Sequence, residues 1–169
     1  EVVGICGGYQ MLGRRIAGAD GVGSGGGGEG LGLLEVTAVL GREKFTEEVE
    51  ARALHLGETT APPARGYLIH MGRTDRRGHR PCFEFRGKEP PASGHRDVAE
   101  RDDAWFDGAV SDDGLVWGAY IHGLFDEPLC RRAWLYRLRI RKGFPAADFA
   151  LSQQVNRQRS GAMDRWADH

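Results

Sequence analysis

The chain is poor in cysteine, in net charge and in long apolar runs, and each shortage removes a class of function. Its three cysteines, Cys6, Cys82 and Cys130, are odd in number and far apart. They make no C-x-x-C pair, so neither a disulfide framework nor a zinc knuckle is indicated and no metal site is expected. That usage suits a reducing cytoplasm. Lys and Arg (23) nearly balance Asp and Glu (24), leaving a net charge of -1. Such a balance gives no electrostatic reason to expect nucleic acid or an acidic membrane surface as a partner. No apolar run nears the ~20 residues needed to cross a bilayer, and no signal-peptide pattern is present. A G-x-x-x-x-G-K-[ST] nucleotide loop is also missing.

What remains is ordinary globular composition: 169 residues, 40 % apolar and 28 % charged, enough for one domain with a real core. The chain starts inside an apolar run without an initiator methionine, which reads as a fragment whose upstream strands are missing. Residues 2–5 read as a buried strand and residues 9–16 as a helix. The glycine-rich stretch 18–30 contains a formal G-x-G-x-x-G at Gly21, Gly23 and Gly26. It lies after a helix and before a strand, the reverse of a dinucleotide fingerprint, so it reads as a flexible loop. Strand-like runs follow at 31–40, 51–56, 66–70 and 82–85. Residues 86–108 read as an exposed charged excursion, and 115–121 (L-V-W-G-A-Y-I) as a strong strand ending at His122. Residues 127–142 read as a helix closed by Gly143, and 150–168 as a second, more polar helix. The expected class is α/β with extra strand content in the middle.

One corner carries chemistry. Gly4-Ile5-Cys6-Gly7-Gly8 fits G-x-C-x-G between a strand and a helix, the sulfur form of a nucleophile elbow. A sharp strand-to-helix turn brings the residues on either side of the nucleophile close together, so small residues are needed there. The helix behind it favours thiolate, and the Gly7 N–H is placed to donate to an oxyanion. A lone buried structural cysteine is the alternative; three glycines at these offsets argue against it. A thiolate nucleophile needs a proton carrier. Of the six histidines, His169 is terminal, His79 and His95 lie in charged loops, and His55 reads as structural. His70 and His122 each end an apolar run. His122, at a strand's carboxyl end where α/β sites gather, is the better base.

Four ordered motifs add a resemblance: G-I-C-G-G-Y-Q-M-L-G (4–13), G-L-G-L-L (30–34), G-Y-L-I-H-M-G-R-T (66–74) and G-A-Y-I-H-G-L-F-D (118–126). Together with R-A-W-L-Y-R-L-R near the end, they resemble the glutamine amidotransferase domain of the cobyric acid synthase family over essentially the whole chain. The resemblance implies a class I amidotransferase-like fold, a flavodoxin-like three-layer sandwich lacking its N-terminal strands, over residues 1–169. It implies that Cys6 attacks the glutamine side-chain amide, that His122 shuttles the proton, and that Gly7 contributes an oxyanion donor. Gly8, Tyr9 and Gln10 would contact substrate, an ordinary first-turn helix residue being the alternative for Gln10. His70 and Arg73 would line the site, or else form a structural turn. The domain itself would need no cofactor. ATP, Mg²⁺ and the corrinoid acceptor, adenosylcobyrinic acid a,c-diamide, would belong to an absent synthetase domain.

Two departures accompany the resemblance. No acid follows His122 in the His-x-Glu pattern of class I enzymes, implying a Cys–His dyad or a distant third partner. Leu68 stands where the family pattern reads Glu. The alternatives are an amidotransferase for another acceptor (cobyrinic acid a,c-diamide synthase-like or lipid II amidation), a docking domain with weakened catalysis, or a cysteine hydrolase of the same fold. The expected loss of a second oxyanion donor from an upstream loop predicts weak or no glutaminase activity for the isolated chain.

Overall fold

The computed structural model describes residues 1–18, 27–57, 61–86 and 104–145. The formal G-x-G-x-x-G and the expected helix over 150–168 lie outside the described residues, as does most of the charged excursion. The chain divides into two compact units, Glu1–Ala133 and Trp134–His169.

In the first unit, strand β1 (Val2–Ile5) runs into helix α1 (Gly7–Leu12), followed by β2 (Arg15–Gly18) and β3 (Gly28–Glu29). A long β4 (Thr37–Ala53) and β5 (Pro63–Asp75) come next, then β6 (Phe83–Arg86), β7 (Ala104–Asp107) and β8 (Ala109–Val110). Strands β9 (Val116–Ala119) and β10 (Ile121–His122) precede helix α2 (Pro128–Arg141), whose last turns belong to the second unit. The α/β class holds, with sheet outweighing helix among the described residues.

The strands form two sheets. In the smaller, β9 lies between β1 and β8; β1 pairs with β9 in parallel, Ile5 opposite Ala119. The larger sheet has the order β10-β5-β4-β2-β3, with β6 on β4 and β7 on β6. A single residue, Tyr120, separates β9 of the first sheet from β10 of the second. Trp117, Tyr9, Phe83, Leu34, Leu68, Ile121 and Val36 are the large side chains of the core, each no more than 1 % exposed.

Three expectations are corrected. The first helix begins at Gly7 and stops at Leu12, so Ile16 lies in strand β2. The 30–34 motif explains the early stop: the Leu31 N–H reaches the Met11 carbonyl at 2.7 Å and those of Leu33 and Leu34 reach the Leu12 carbonyl at 2.9 Å. The helix's orphan carbonyls are therefore satisfied from outside rather than by another turn. Second, of the two runs expected at 31–40 and 51–56 only residues 37–40 and 51–53 are strand, and they belong to a single 17-residue strand, irregular between Val39 and Lys44. Third, the excursion ends in a strand, β7, whose Trp105 stacks on Phe85 with centroids 4.0 Å apart.

Helix α2 follows its sequence signals closely. Pro128 occupies the first turn, where its missing N–H costs nothing, and the Glu127 carboxylate accepts from the Leu129 N–H at 3.3 Å. In the second unit the helix closes at Gly143 as expected. The Phe144 N–H returns to the Arg139 carbonyl (3.0 Å) and the Gly143 N–H to the Ile140 carbonyl (2.9 Å), a Schellman closure.

Candidate active site

Cys6 is one of two non-glycine residues with positive φ among the described residues, at φ 55° and ψ -116°. An L-residue there stores on the order of 1–3 kcal/mol of strain, which persists only where its surroundings impose it. They do so from both sides. The Cys6 N–H extends the parallel ladder to the Ala119 carbonyl (2.9 Å), while the Cys6 carbonyl accepts from the Gln10 N–H (3.2 Å) to start α1. The chain has to turn between these two bonds, so the thiol stands at the carboxyl end of a parallel strand pair. Its Sγ donates to the Ile69 carbonyl of β5 at 3.4 Å.

The glycines around the corner are not equivalent. A Cβ on Gly4 would lie 2.6 Å from the Gly8 carbonyl oxygen and 2.7 Å from the Leu12 side chain, so nothing larger fits without movement. A Cβ on Gly8 would meet nothing within 4 Å, as would one on Gly7. The steric requirement read for both flanks therefore holds at Gly4 and is corrected at Gly8, whose backbone is the obstacle but whose own side is open. Gly7 is exposed, and its open Cβ side leaves space for a ligand beside the elbow.

His122 comes to the same strand from the other sheet. Cys6 touches the backbone of Ile69 on β5, and His122 is in register with Tyr67, two residues earlier on that strand. The β5–β10 approach is close: a Cβ on Gly66 would fall 1.9 Å from the His122 carbonyl oxygen. His122 Nε2 is enclosed and has no hydrogen-bond partner among the described residues. An enclosed imidazole nitrogen without a partner is costly in a resting protein and fits a group that exchanges a proton with substrate. After His122 the chain turns at Gly123, whose carbonyl accepts from the Asp126 N–H at 2.9 Å.

The other expected site residues separate. Gln10 is half-buried on α1, and its Nε2 donates to the Tyr120 hydroxyl at 3.1 Å. Tyr9 is only 1 % exposed and meets Tyr120 edge-on with centroids 5.3 Å apart. Its side chain is core, which corrects the expectation that it contacts substrate. Burial holds its hydroxyl proton far more tightly than usual, with the Asp107 charge adding to the effect. On β5, exposure alternates with period two, so His70 faces inward and Arg73, three residues on, faces outward. They cannot line one surface together, which corrects their joint assignment. His70 packs against Tyr120 at 4.7 Å, and burial lowers its pKa, keeping it neutral. Leu68 is buried opposite Ile121, so hydrocarbon fills the position where a carboxylate was expected. His55 is structural, its ring 5.3 Å from Trp117 and its Nε2 3.9 Å from a Glu1 carboxylate oxygen.

Asp107 and Tyr120 carry no site expectation from the sequence, and Thr74 enters only as the last residue of the 66–74 motif. Thr74 and Tyr120 share a hydroxyl–hydroxyl hydrogen bond of 2.5 Å. The Asp107 carboxylate accepts the Tyr120 N–H at 2.8 Å. Burial raises the Asp107 pKa to about 6, against the lowering pull of the backbone N–H groups of Tyr120 and Gly108 and of Arg76. Burial likewise raises Tyr120 to about 12, so its hydroxyl keeps its proton. The signals available were a polar residue closing the 66–74 motif and a tyrosine two residues before His122.

Comparison with known proteins gives the family. Residues 1–129 match the family model for the CobB/CobQ-like glutamine amidotransferase domain. The chain is 43 % identical to a cobyric acid synthase of Herpetosiphon aurantiacus over 138 residues, covering 81 % of this chain and 25 % of that protein. It is 39 % identical to that of Chloroflexus aurantiacus over 172 residues, covering 99 % of this chain and 30 % of the relative. With the cobyric acid synthase of Photorhabdus laumondii it shares 44 % identity over 154 residues, 86 % of this chain and 27 % of that protein. The chain thus spans roughly a quarter to a third of the relatives it matches. Its sheet-dominated α/β architecture and cysteine elbow accord with a class I amidotransferase-like fold, and the chain belongs to the CobB/CobQ-like glutamine amidotransferase domain family.

Proposed function

We propose that this chain is the glutamine-hydrolysing part of a cobyric acid synthase, supplying ammonia for ATP-dependent amidation of corrinoid carboxylates. The observation that carries the reading is Cys6, held at positive φ on a strand-to-helix turn, in a chain of this family. In the proposed reaction the Cys6 thiolate attacks Cδ of glutamine, and the carbonyl oxygen takes up negative charge beside the Gly7 N–H. His122 delivers a proton to the nitrogen as the C–N bond breaks, releasing ammonia and leaving a γ-glutamyl thioester. His122 then takes a proton from water, the hydroxide attacks the thioester, and glutamate leaves with the thiol restored. No acidic third partner is required in this scheme.

Among the described residues no group of three or more His, Cys, Asp or Glu could hold a metal ion. The activation step is assigned to polypeptide outside this chain, in the cytoplasm with the corrinoid acceptor. Among the described residues no helix is long and apolar enough to cross a membrane. Gly7 is the one oxyanion donor that the elbow itself supplies, so residues 1–169 alone are proposed to turn over slowly. The test is glutaminase activity of the full-length polypeptide carrying this chain. Cys6→Ser and His122→Ala are each expected to lose at least about 10³-fold in kcat. Normal hydrolysis by Cys6→Ser would overturn the reading.

A further inference from the structure

Resting on the amidotransferase reading, we propose that Thr74 and Tyr120 are positioning residues: their hydroxyls form a relay that anchors the Gln10 carboxamide beside the elbow, where it meets the amide substrate.

Tyr120 is held at every point except its outer hydroxyl face. It is the single residue between β9 and β10, where its backbone leaves one sheet before joining the next. Its N–H donates to Asp107 at 2.8 Å, and its carbonyl accepts from the Ile69 N–H at 3.4 Å. Its ring is clamped between Tyr9, edge-on at 5.3 Å, and His70, tilted by 31° at 4.7 Å. The hydroxyl therefore has a fixed place, shared between Thr74 Oγ1 at 2.5 Å and Gln10 Nε2 at 3.1 Å.

Gln10 Nε2 donates to the Tyr120 oxygen, and the Thr74 hydroxyl bonds that same oxygen from the inner side. A tyrosine hydroxyl both donates and accepts, so the relay holds the carboxamide in place whichever way its protons run. A carboxamide without this anchor would move among rotamers, and the loss of one such hydrogen bond weakens the hold on substrate by a factor of roughly 5–10. Gln10 lies on the first turns of α1, the helix that opens at Cys6, so its orientation is set relative to the nucleophile. The relay also gives the 66–74 motif a role: its last residue, Thr74, is 5 % exposed and anchors the inner end.

The test is steady-state glutamine hydrolysis by the full-length polypeptide carrying this chain. Tyr120→Phe keeps the ring between Tyr9 and His70 and removes only the hydroxyl. It is expected to raise KM for glutamine about 5–10-fold while kcat stays within about twofold. Gln10→Ala should do the same, and the double variant should be no worse than Gln10→Ala alone. Thr74→Val should shift KM in the same direction by less, and Thr74→Ser should restore it. An unchanged KM in Tyr120→Phe, a fall in kcat in place of the KM rise, or multiplying effects in the double variant would overturn the relay. If Tyr120→Phe does not fold, the Thr74→Val and Gln10→Ala pair carries the same cycle. Wild-type hydrolysis that depends on Cys6, with unaltered KM in these variants, sinks the relay alone. Hydrolysis that survives Cys6→Ser sinks the underlying reading instead.

Discussion

Cys6 combines a reactive atom with a backbone that resists it. At φ 55° a side chain is strained and glycine is not, so Cys6→Gly should relieve the turn. Against the extra chain entropy that glycine loses on folding, the expected net gain is about 1 kcal/mol in urea unfolding, with glutaminase activity abolished. Equal or lower stability in Cys6→Gly would mean that the elbow stores no strain. Asp107 offers a second residue-scale prediction. Its folded pKa of about 6 lies above the ordinary 3.8, so folding favours the neutral acid. Its stabilising contribution is fullest below about 3.8 and is lost as pH rises through 6. Arg76, Tyr9 and Tyr120 are the groups that share its surroundings, and burial outweighs their combined effect. Asp107→Asn can still accept the Tyr120 N–H, so it should be more stable than wild type at pH 8, with the gap closing by pH 4. His70 also resists protonation, but it is present in both proteins and cancels from the difference. A gap independent of pH would contradict the assignment. The cysteine and the histidine were legible in the sequence because their neighbours carry local turn and strand signals. Asp107 and Tyr120 were not, since their meaning comes from partners 13 residues apart or more and from a switch between sheets.

At the scale of elements, the site depends on how closely three strands approach. Gly66 lets β10 lie on β5, since a Cβ there would fall on the His122 carbonyl. Gly66→Ala should therefore displace His122 and lower kcat by about 10²-fold, on the order of effects that follow from misplacement of catalytic groups. Because the obstacle is backbone, stability should fall as well, and activity equal to wild type would refute this account of the pairing. Strand β4 shows why element boundaries were only partly legible. Phe45, Val49, Ala51 and Ala53 face inward while Lys44, Thr46, Glu48 and Glu50 face outward, a proper period of two. Glu47 interrupts that alternation on the inward side, and its local chemistry reads as a loop although its register against Leu68 is regular. Helix α2 was legible nearly to the residue because its Pro128 start and Gly143 end are local signals.

For the whole molecule, the fold works by passing the chain directly between two sheets, at Tyr120 between β9 and β10 and at Gly108 between β7 and β8. The parallel pair β1–β9 delivers Cys6, the antiparallel pair β5–β10 delivers His122, and Tyr120 is the joint between them. In the proposed full-length enzyme this part releases ammonia and the remainder uses it. Cys6→Ser should therefore abolish glutamine-dependent amidation while amidation with added ammonium salts persists at near the wild-type rate. Loss of both activities would mean that the cysteine supports the fold or the acceptor site instead.

The claim on which everything else depends is that Cys6 is the nucleophile, and it can be tested by covalent capture. The full-length polypeptide would be treated with the glutamine analogue diazo-oxo-norleucine, digested and read by mass spectrometry. The account predicts a single adduct, on the peptide containing Cys6, blocked by excess glutamine and absent in Cys6→Ser. Buried Cys82 and Cys130, the latter with its thiol pushed up to about 12, should remain unmodified. No adduct at Cys6, or an adduct elsewhere that accompanies inactivation, would contradict it.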